Sequence, residues 1–370
     1  MIDSCRQTPQ YFPYPHGLTA ARWTGGRQSA PSLSPIPPFA RADITHDSRR
    51  NKMKILITDG FLVNAGGVSW RPLEEIGEVI YYDDTTPEEL LERIADVDAA
   101  FTNRVRFPAE VFQHAKKLKM IGTFGTGVDF IDCKTAREHG VSVCNIPGYG
   151  RGAVAQMAIA LMFEVCRRTS FFNSFIKETG WINSIEPEVS NVRQMELTGK
   201  TLGIVGMGDI GYAIAKAAMA LDMKVLAHRR HPVKEWECDQ LQFVDLDTLF
   251  RNADIISTNC PLTDETRHII NKGSIAKMKD GVILINVGRG ALFDTADVVA
   301  ALDSGKVYMA GVDVFDPEPC GKDHPLATHP RCVASPHVAW SPLETRQNLV
   351  NRSAENLRAL LDGTPKNVKN

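Results

Sequence analysis

The sequence predicts an α/β protein of two domains, each built on an open parallel sheet wrapped by helices. Three observations carry this reading. From residue 54 onward, short apolar runs of strand length alternate with helical segments, the pattern of layered α/β architecture. The chain has 370 residues, 43% of them apolar, which is more than a single core ordinarily absorbs. Around residues 201–228, an apolar strand, a glycine turn, an alanine-rich helix and a second strand follow one another without interruption.

Residues 1–52 differ from the rest. They contain YFPYPHG and SPIPPFARA, are rich in proline and arginine, and lack an apolar period. We expect a disordered or upstream-start extension there, since MKILITDG from Met53 reads as the start of a globular chain; a targeting peptide is the alternative. Residues 54–58 then form a strand and PEELLERIA (87–95) a helix, with Pro87 in its first turn. ADVDAAFTN, VFQHAKKLKMIGTFGTGVD and TAREHGVSVCNIP continue the alternation to about residue 150. VAQMAIALMFEVCRRT reads as a connecting helix, and SFFNSFIKETGWINS as an irregular aromatic stretch that covers a neighbouring surface. From Leu197 the strand and helix pattern restarts and runs to about 335. The closing helix LETRQNLVNRSAENLRALLDG has Leu349, Leu357, Leu360 and Leu361 as its apolar positions and is expected to pack back on the first domain.

Composition excludes several function classes. Net charge is only −2 with no sustained basic block, so a nucleic-acid partner is not expected. Apolar runs stop short of membrane-spanning length, so no membrane partner is expected. Eight cysteines without CxxC or finger-like spacing point to free thiols and a reducing, cytoplasmic setting. Ten histidines without HExxH or close-spaced ligand sets predict no metal centre.

TLGIVGMGDIGYAIAKAAMALDMKVLAHRR is the strongest functional signal. Gly206, Gly208 and Gly211 form GxGxxG between strand and helix, the setting in which this motif binds a dinucleotide. The first glycine permits the turn, the second leaves room for a pyrophosphate, and the third allows close packing of helix on strand; Asp209 and Ile210 fall at the same helix start. Where an acidic residue ordinarily meets the adenosine ribose, this chain has His228, Arg229 and Arg230. A guanidinium cannot accept ribose hydrogen bonds but pairs well with a 2′-phosphate. NADP(H) is therefore the expected cofactor, with NAD(H) left open. Three further segments place chemistry at strand ends: VILINVGRG with Arg289, AGVDVFDPEP with Asp313, Asp316 and Glu318, and VASPHVAWSP with His337 and Trp340. An arginine, a carboxylate and a histidine at successive strand ends are the set that carbonyl reduction requires.

The ordered motifs GTGVD (125–129), GMGDIG (206–211), CPLTDETRHIINKGSIAKMKDGVILINVGRG (260–290), GVDVFDPEP (311–319) and SPHVAW (335–340) strongly resemble the D-isomer-specific 2-hydroxyacid dehydrogenase family. Within it, NIPGYGRGAVAQ, INVGRG and HVAWSPLETRQ are most similar to the glycerate dehydrogenase or hydroxypyruvate reductase branch. The resemblance implies two flavodoxin-like or Rossmann-like domains. A doubly wound dinucleotide-binding domain (151–337) would be inserted into a substrate domain (53–150 plus 338–370).

It further implies that Arg289 binds the substrate carboxylate, His337 exchanges the proton, and Glu318 orients His337 and favours its imidazolium form. Backbone amides around Thr126 and Gly127 would complete the carboxylate cradle, Asp313 would meet the nicotinamide carboxamide, and Cys260, Pro261 and Val287 would line the cofactor. Hydroxypyruvate or glyoxylate is the expected substrate, reduced reversibly to the D-2-hydroxyacid. Pyruvate and bulkier branched or aromatic 2-oxoacids are alternatives, as is a non-catalytic dinucleotide-sensing role. Arg151, Gly152 and Ala153 depart from the branch's usual polar pair and serine, and Arg151 offers an extra anion contact. A homodimer is implied, formed through the connecting helix and the Phe171–Trp181 region.

Overall fold

The structure is a computed structural model and describes residues 52–181 and 187–370. The expectation for the N-terminal extension lies outside the described residues. Twelve parallel strands form two sheets among the described residues. The first sheet contains β1 (Lys54–Ile57), β2 (Glu78–Tyr81), β3 (Ala99–Thr102), β4 (Met120–Thr123) and β5 (Ser142–Cys144), in the order β2-β1-β3-β4-β5. The second contains β6 (Thr201–Val205), β7 (Lys224–His228), β8 (Leu241–Phe243), β9 (Ile255–Thr258), β10 (Val282–Asn286), β11 (Val307–Val312) and β12 (Cys332–Ala334). Their order is β12-β11-β10-β9-β6-β7-β8.

In the second sheet the chain builds outward from β6 in one direction through β7 and β8, then returns to β9 on the other side. That reversal between β6 and β9 opens a crevice beyond the strands' carboxyl ends. Central strands β9 and β10 are buried along their whole length, as helices on both faces require. Ala158, Leu161 and Val165 of helix Arg151–Arg167 pack on one face with Ile214 and Ala218 of helix Asp209–Met219. Leu249, Ile275, Val298 and Leu302 from three further helices cover the other. Gly311 lets helix Arg151–Arg167 settle on β11, since a Cβ there would lie 3.1 Å from Leu161 Cβ.

The first sheet is covered on one face by Leu90, Ile94, Val111 and Phe112. On its other face, Leu349, Val350, Ala354 and Leu357 of the closing helix Leu343–Leu361 join Ile55, Ile57 and Phe101. Leu360 is only partly buried, and Leu361, in the last turn, is 48% exposed. The helix predicted from PEELLERIA spans Pro87–Arg93 and opens with a capping box, in which Thr86 accepts from the Glu89 amide while the Glu89 carboxylate accepts from the Thr86 amide.

One segment differs from its sequence reading. The aromatic stretch is not irregular: Thr169–Thr179 is an α-helix. Arg168 breaks it from the preceding helix by adopting a left-handed conformation, φ 57°. Beyond that break, Phe171 with Phe175 and Phe172 with Ile176 fall four apart on one side, a spacing that suits a helix. None of its residues is buried.

The closing helix ties the C-terminal segment to the first sheet through a few apolar residues. Leu357 is fully buried there, so Leu357→Ala is expected to cost about 2–5 kcal/mol. Urea unfolding measures it, and a loss below about 1 kcal/mol would contradict this packing.

Candidate active site

The three motif glycines meet three different steric demands. Gly206 has φ +97°, and a Cβ on it would lie 2.3 Å from the Cys260 amide nitrogen. Gly211 fits closely against the same turn: its Cβ would come within 2.7 Å of the Gly206 carbonyl oxygen and 3.0 Å of Ile204. Gly208, the residue before helix Asp209–Met219, faces open space instead. A clear approach to the first amides of an eleven-residue helix is what a dinucleotide pyrophosphate requires, so the residues present fit that group. Asp209 is exposed beside this approach, and Ile210 packs partly into the core.

The loop after β9 lies directly against this turn at Gly206. Cys260 is half-buried, and burial pushes its thiol up to about 11. Pro261 is exposed, and its carbonyl accepts from the Thr266 hydroxyl at 2.7 Å. Val287, expected to line the cofactor, follows β10 directly. Its side chain is 7% exposed and packs into the core cluster shared with helix Arg151–Arg167.

At the end of β7 the three basic side chains diverge. The His228 ring, through Nδ1, is 3.1 Å from the Val244 carbonyl. Arg229 donates from Nη1 to the Met207 carbonyl of the glycine turn at 3.3 Å. Arg230 is exposed; its charge, after the hydrogen bond from Thr263, helps hold the Glu265 carboxyl low. Neither arginine is in an ion pair among the described residues.

Neighbouring strands β10, β11 and β12 bring Arg289, Glu318 and His337 to one rim. Buried Asn286 shapes the first loop: its Oδ1 accepts from the Gly288 amide at 3.1 Å, and its Nδ2 donates to the Arg289 carbonyl at 2.9 Å. Gly290 allows the next loop to lie directly on this one, since a Cβ there would fall 1.9 Å from the Phe315 carbonyl. Glu318 then accepts from the Phe315 amide at 2.8 Å through Oε1 and meets His337 Nδ1 at 2.7 Å through Oε2. The second His337 ring nitrogen has no hydrogen-bond partner among the described residues.

Burial alone would raise the Glu318 carboxyl. The His337 hydrogen bond and charge, the Phe315 amide and Arg289 together outweigh burial and hold it below its ordinary value. Across the cleft, Gly127 faces this rim, a Cβ there lying 3.6 Å from Arg289 Nη2. The exposed Thr126 beside it is anchored through its carbonyl, which accepts from Asn145 Nδ2 at 2.8 Å.

Asp313, the expected carboxamide contact, lies just after β11 and against the loop that follows β12. It has no exposed surface, and its carboxylate faces the following loop. Oδ1 accepts from the Ser335 hydroxyl (2.5 Å) and the Val338 amide (3.0 Å), and Oδ2 from the Ala339 amide (2.9 Å). The Asp313 carbonyl also accepts from the His337 amide at 2.7 Å. Together these bonds hold His337 in a left-handed conformation, φ 53°, that non-glycine residues seldom adopt.

Sequence reasoning missed Tyr149. Like Trp340, it packs against the first sheet's core, and burial pushes its phenol up to about 12 despite the nearby Arg289 charge. The signal available was an aromatic residue in the glycine-rich link GYGRG, just before the connecting helix.

Comparison with known proteins agrees with this architecture. A family model described as "D-isomer specific 2-hydroxyacid dehydrogenase, NAD binding domain" matches residues 159–339. The chain is 42% identical over 321 residues to a hydroxypyruvate reductase of Blautia hydrogenotrophica, covering 86% of this chain and all of that protein. It is 35% identical over 290 residues to a glycerate dehydrogenase of Methylorubrum extorquens, covering 78% and 90%. The solved glyoxylate reductase from Paecilomyes thermophila superposes with a TM-score of 0.73 at 30% identity, covering 86% of this chain and 98% of that one. The chain belongs to the D-isomer-specific 2-hydroxyacid dehydrogenase family. It is an oxidoreductase that couples NAD(P)H to the reduction of a small 2-oxoacid to a D-2-hydroxyacid.

Because the Glu318 carboxyl is held below its ordinary 4.5, the link to His337 persists above that pH and is lost as pH falls through the lowered value. Glu318→Gln removes the negative charge beside the imidazole. Turnover in the reductive direction should fall roughly tenfold or more, and the loss of activity at low pH that follows protonation of Glu318 should disappear. An unchanged pH–rate profile would rule out this electrostatic coupling.

Proposed function

We propose that this enzyme reduces hydroxypyruvate or glyoxylate, with NADPH preferred over NADH. The observation that carries the chemistry is the meeting of Arg289, Glu318 and His337 on one rim opposite Gly127. Arg289 binds the substrate carboxylate and polarises the keto oxygen, with backbone amides near Thr126 and Gly127 completing the cradle. His337 gives its proton to that oxygen, and Glu318 holds the other ring nitrogen and compensates the positive charge. When bound, the nicotinamide cofactor supplies the hydride. Tyr149 and Trp340 help exclude water where the chain crosses between lobes.

The NADPH preference rests on Arg229, which no carboxylate neutralises among the described residues. The hydroxypyruvate and glyoxylate reductase names of several relatives support the choice of acid. The seven described cysteines are free, which favours a reducing, cytoplasmic setting.

A matrix of NADH and NADPH against hydroxypyruvate, glyoxylate, pyruvate and branched or aromatic 2-oxoacids tests this reading. The expected result is highest kcat/KM with NADPH and one of the two small acids. Better use of NADH would overturn the cofactor assignment, and preference for a bulky acid would overturn the substrate. His337→Ala should lose about 100-fold or more in kcat; NADPH binding with no turnover on any acid would indicate a sensing protein instead.

The helix Thr169–Thr179 presents Phe171, Phe172, Phe175 and Ile176 without burying any of them. We assign this face, with the exposed Phe163 of the preceding helix, to a homodimer interface. Light scattering should give twice the chain mass, reduced toward one by Phe172→Glu with Ile176→Glu. A monomeric parent protein would refute the assignment.

A further inference from the structure

Beside the nucleotide turn lies an aromatic arrangement for which the reaction has no use. Trp236, in the short 3-10 helix Lys234–Trp236, stacks on Tyr212 with ring centroids 4.3 Å apart and 13° between planes. Tyr212 belongs to helix Asp209–Met219, one turn beyond the open position at Gly208. The Arg229 guanidinium carbon is 5.5 Å from the centroid of Trp236, within cation–π range, while Lys216 Nζ is 5.2 Å from that of Tyr212. Two cations and two rings thus form one stack.

Arg229 needs such support for a physical reason. A free arginine at a strand end loses much side-chain entropy when it adopts a single geometry. Here two contacts define its position: the Met207 carbonyl at 3.3 Å and the Trp236 ring. Neither contact is an ion pair, so the positive charge is positioned without being neutralised. The Met207 contact uses one donor of the planar fork and leaves others for an incoming anion.

We propose that Trp236, braced by Tyr212, is a positioning residue that holds Arg229 ready for the 2′-phosphate of NADPH, and so sets cofactor selectivity. This rests on the NADPH reading above. Trp236 acts only through Arg229, so its contribution exists for the phosphorylated cofactor and only while the guanidinium is present.

The test is a double-mutant cycle of Trp236→Ala and Arg229→Ala, read as KM and kcat with NADPH and with NADH. Trp236→Phe serves as the conservative variant. Trp236→Ala should raise KM for NADPH roughly fivefold, leave KM for NADH and both kcat values close to wild type, and be largely restored by Trp236→Phe. In the Arg229→Ala background the same substitution should change nothing further.

If Arg229→Ala weakens NADPH use but Trp236→Ala does not, the positioning role is overturned while the NADPH reading stands. Equal loss for both cofactors, or a Trp236 effect that persists without Arg229, also overturns it, since the ring would then be packing generally or touching the cofactor itself. If Arg229→Ala leaves the NADPH to NADH ratio unchanged, both readings fall. Calorimetric titration of wild type and Trp236→Phe with adenosine 2′,5′-bisphosphate and with 5′-AMP gives an activity-independent readout. The positioning role requires the 2′-phosphate to tighten binding in both proteins.

Discussion

The site depends on what the buried carboxylate of Asp313 demands. A carboxylate with no exposed surface must be satisfied by hydrogen bonds or suffer a large desolvation cost. The loop after β12 supplies the Ser335 hydroxyl and two consecutive amides, and in doing so bends through a left-handed residue. That residue is His337. Its strained backbone is therefore compensated by the carboxylate's need for donors, and the imidazole emerges toward Glu318 in a direction that a relaxed extended loop would not give it.

A second constraint is how closely successive loops lie on one another. Gly290 leaves no space for a side chain against the Phe315 carbonyl, and Gly206 leaves none against Cys260. Such backbone-to-backbone contact fixes loop positions more tightly than flexible side-chain packing. Arg289 and Glu318 consequently inherit their relative placement from main-chain geometry. The Phe315 amide, held in the same contact, binds Glu318 Oε1 and leaves Oε2 for His337.

How much of this was legible in the sequence differs with the kind of constraint. The glycine turn could be read because each glycine answers a local steric demand that its spacing encodes, as Gly206, Gly208 and Gly211 do. The ends of β10, β11 and β12 could be read because apolar runs stop at polar residues. Side-chain direction beyond a strand end could not. Asp313 and Val287 both follow apolar strands and look available, yet the loop bonds to one and the core takes up the other. The helix Thr169–Thr179 was obscured for a different reason: its phenylalanines are poor helix formers, and nothing local announces the left-handed break at Arg168. Tyr149 sits inside the motif NIPGYGRGAVAQ, but nothing in that motif announces its place near Arg289, which arises from the chain crossing between lobes.

That crossing also links the loop facing Arg289 to the integrity of the first lobe. Tyr149 and Trp340 lie near the two points where the chain passes between sheets, and both pack on the core that the closing helix completes. Arg352 on that helix donates to the Pro147 carbonyl at 2.7 Å, and Asn356 donates to the Asn145 carbonyl at 3.0 Å. Asn145 in turn holds the Thr126 carbonyl. The loop facing Arg289 is thus suspended from the C-terminal helix by consecutive hydrogen bonds. Rigid attachment on one side of the cleft and rigid stacking of loops on the other confine relative motion to the short links between them. The Gly127 loop and the rim of Arg289, Glu318 and His337 can then approach as units, with each set of groups already in place.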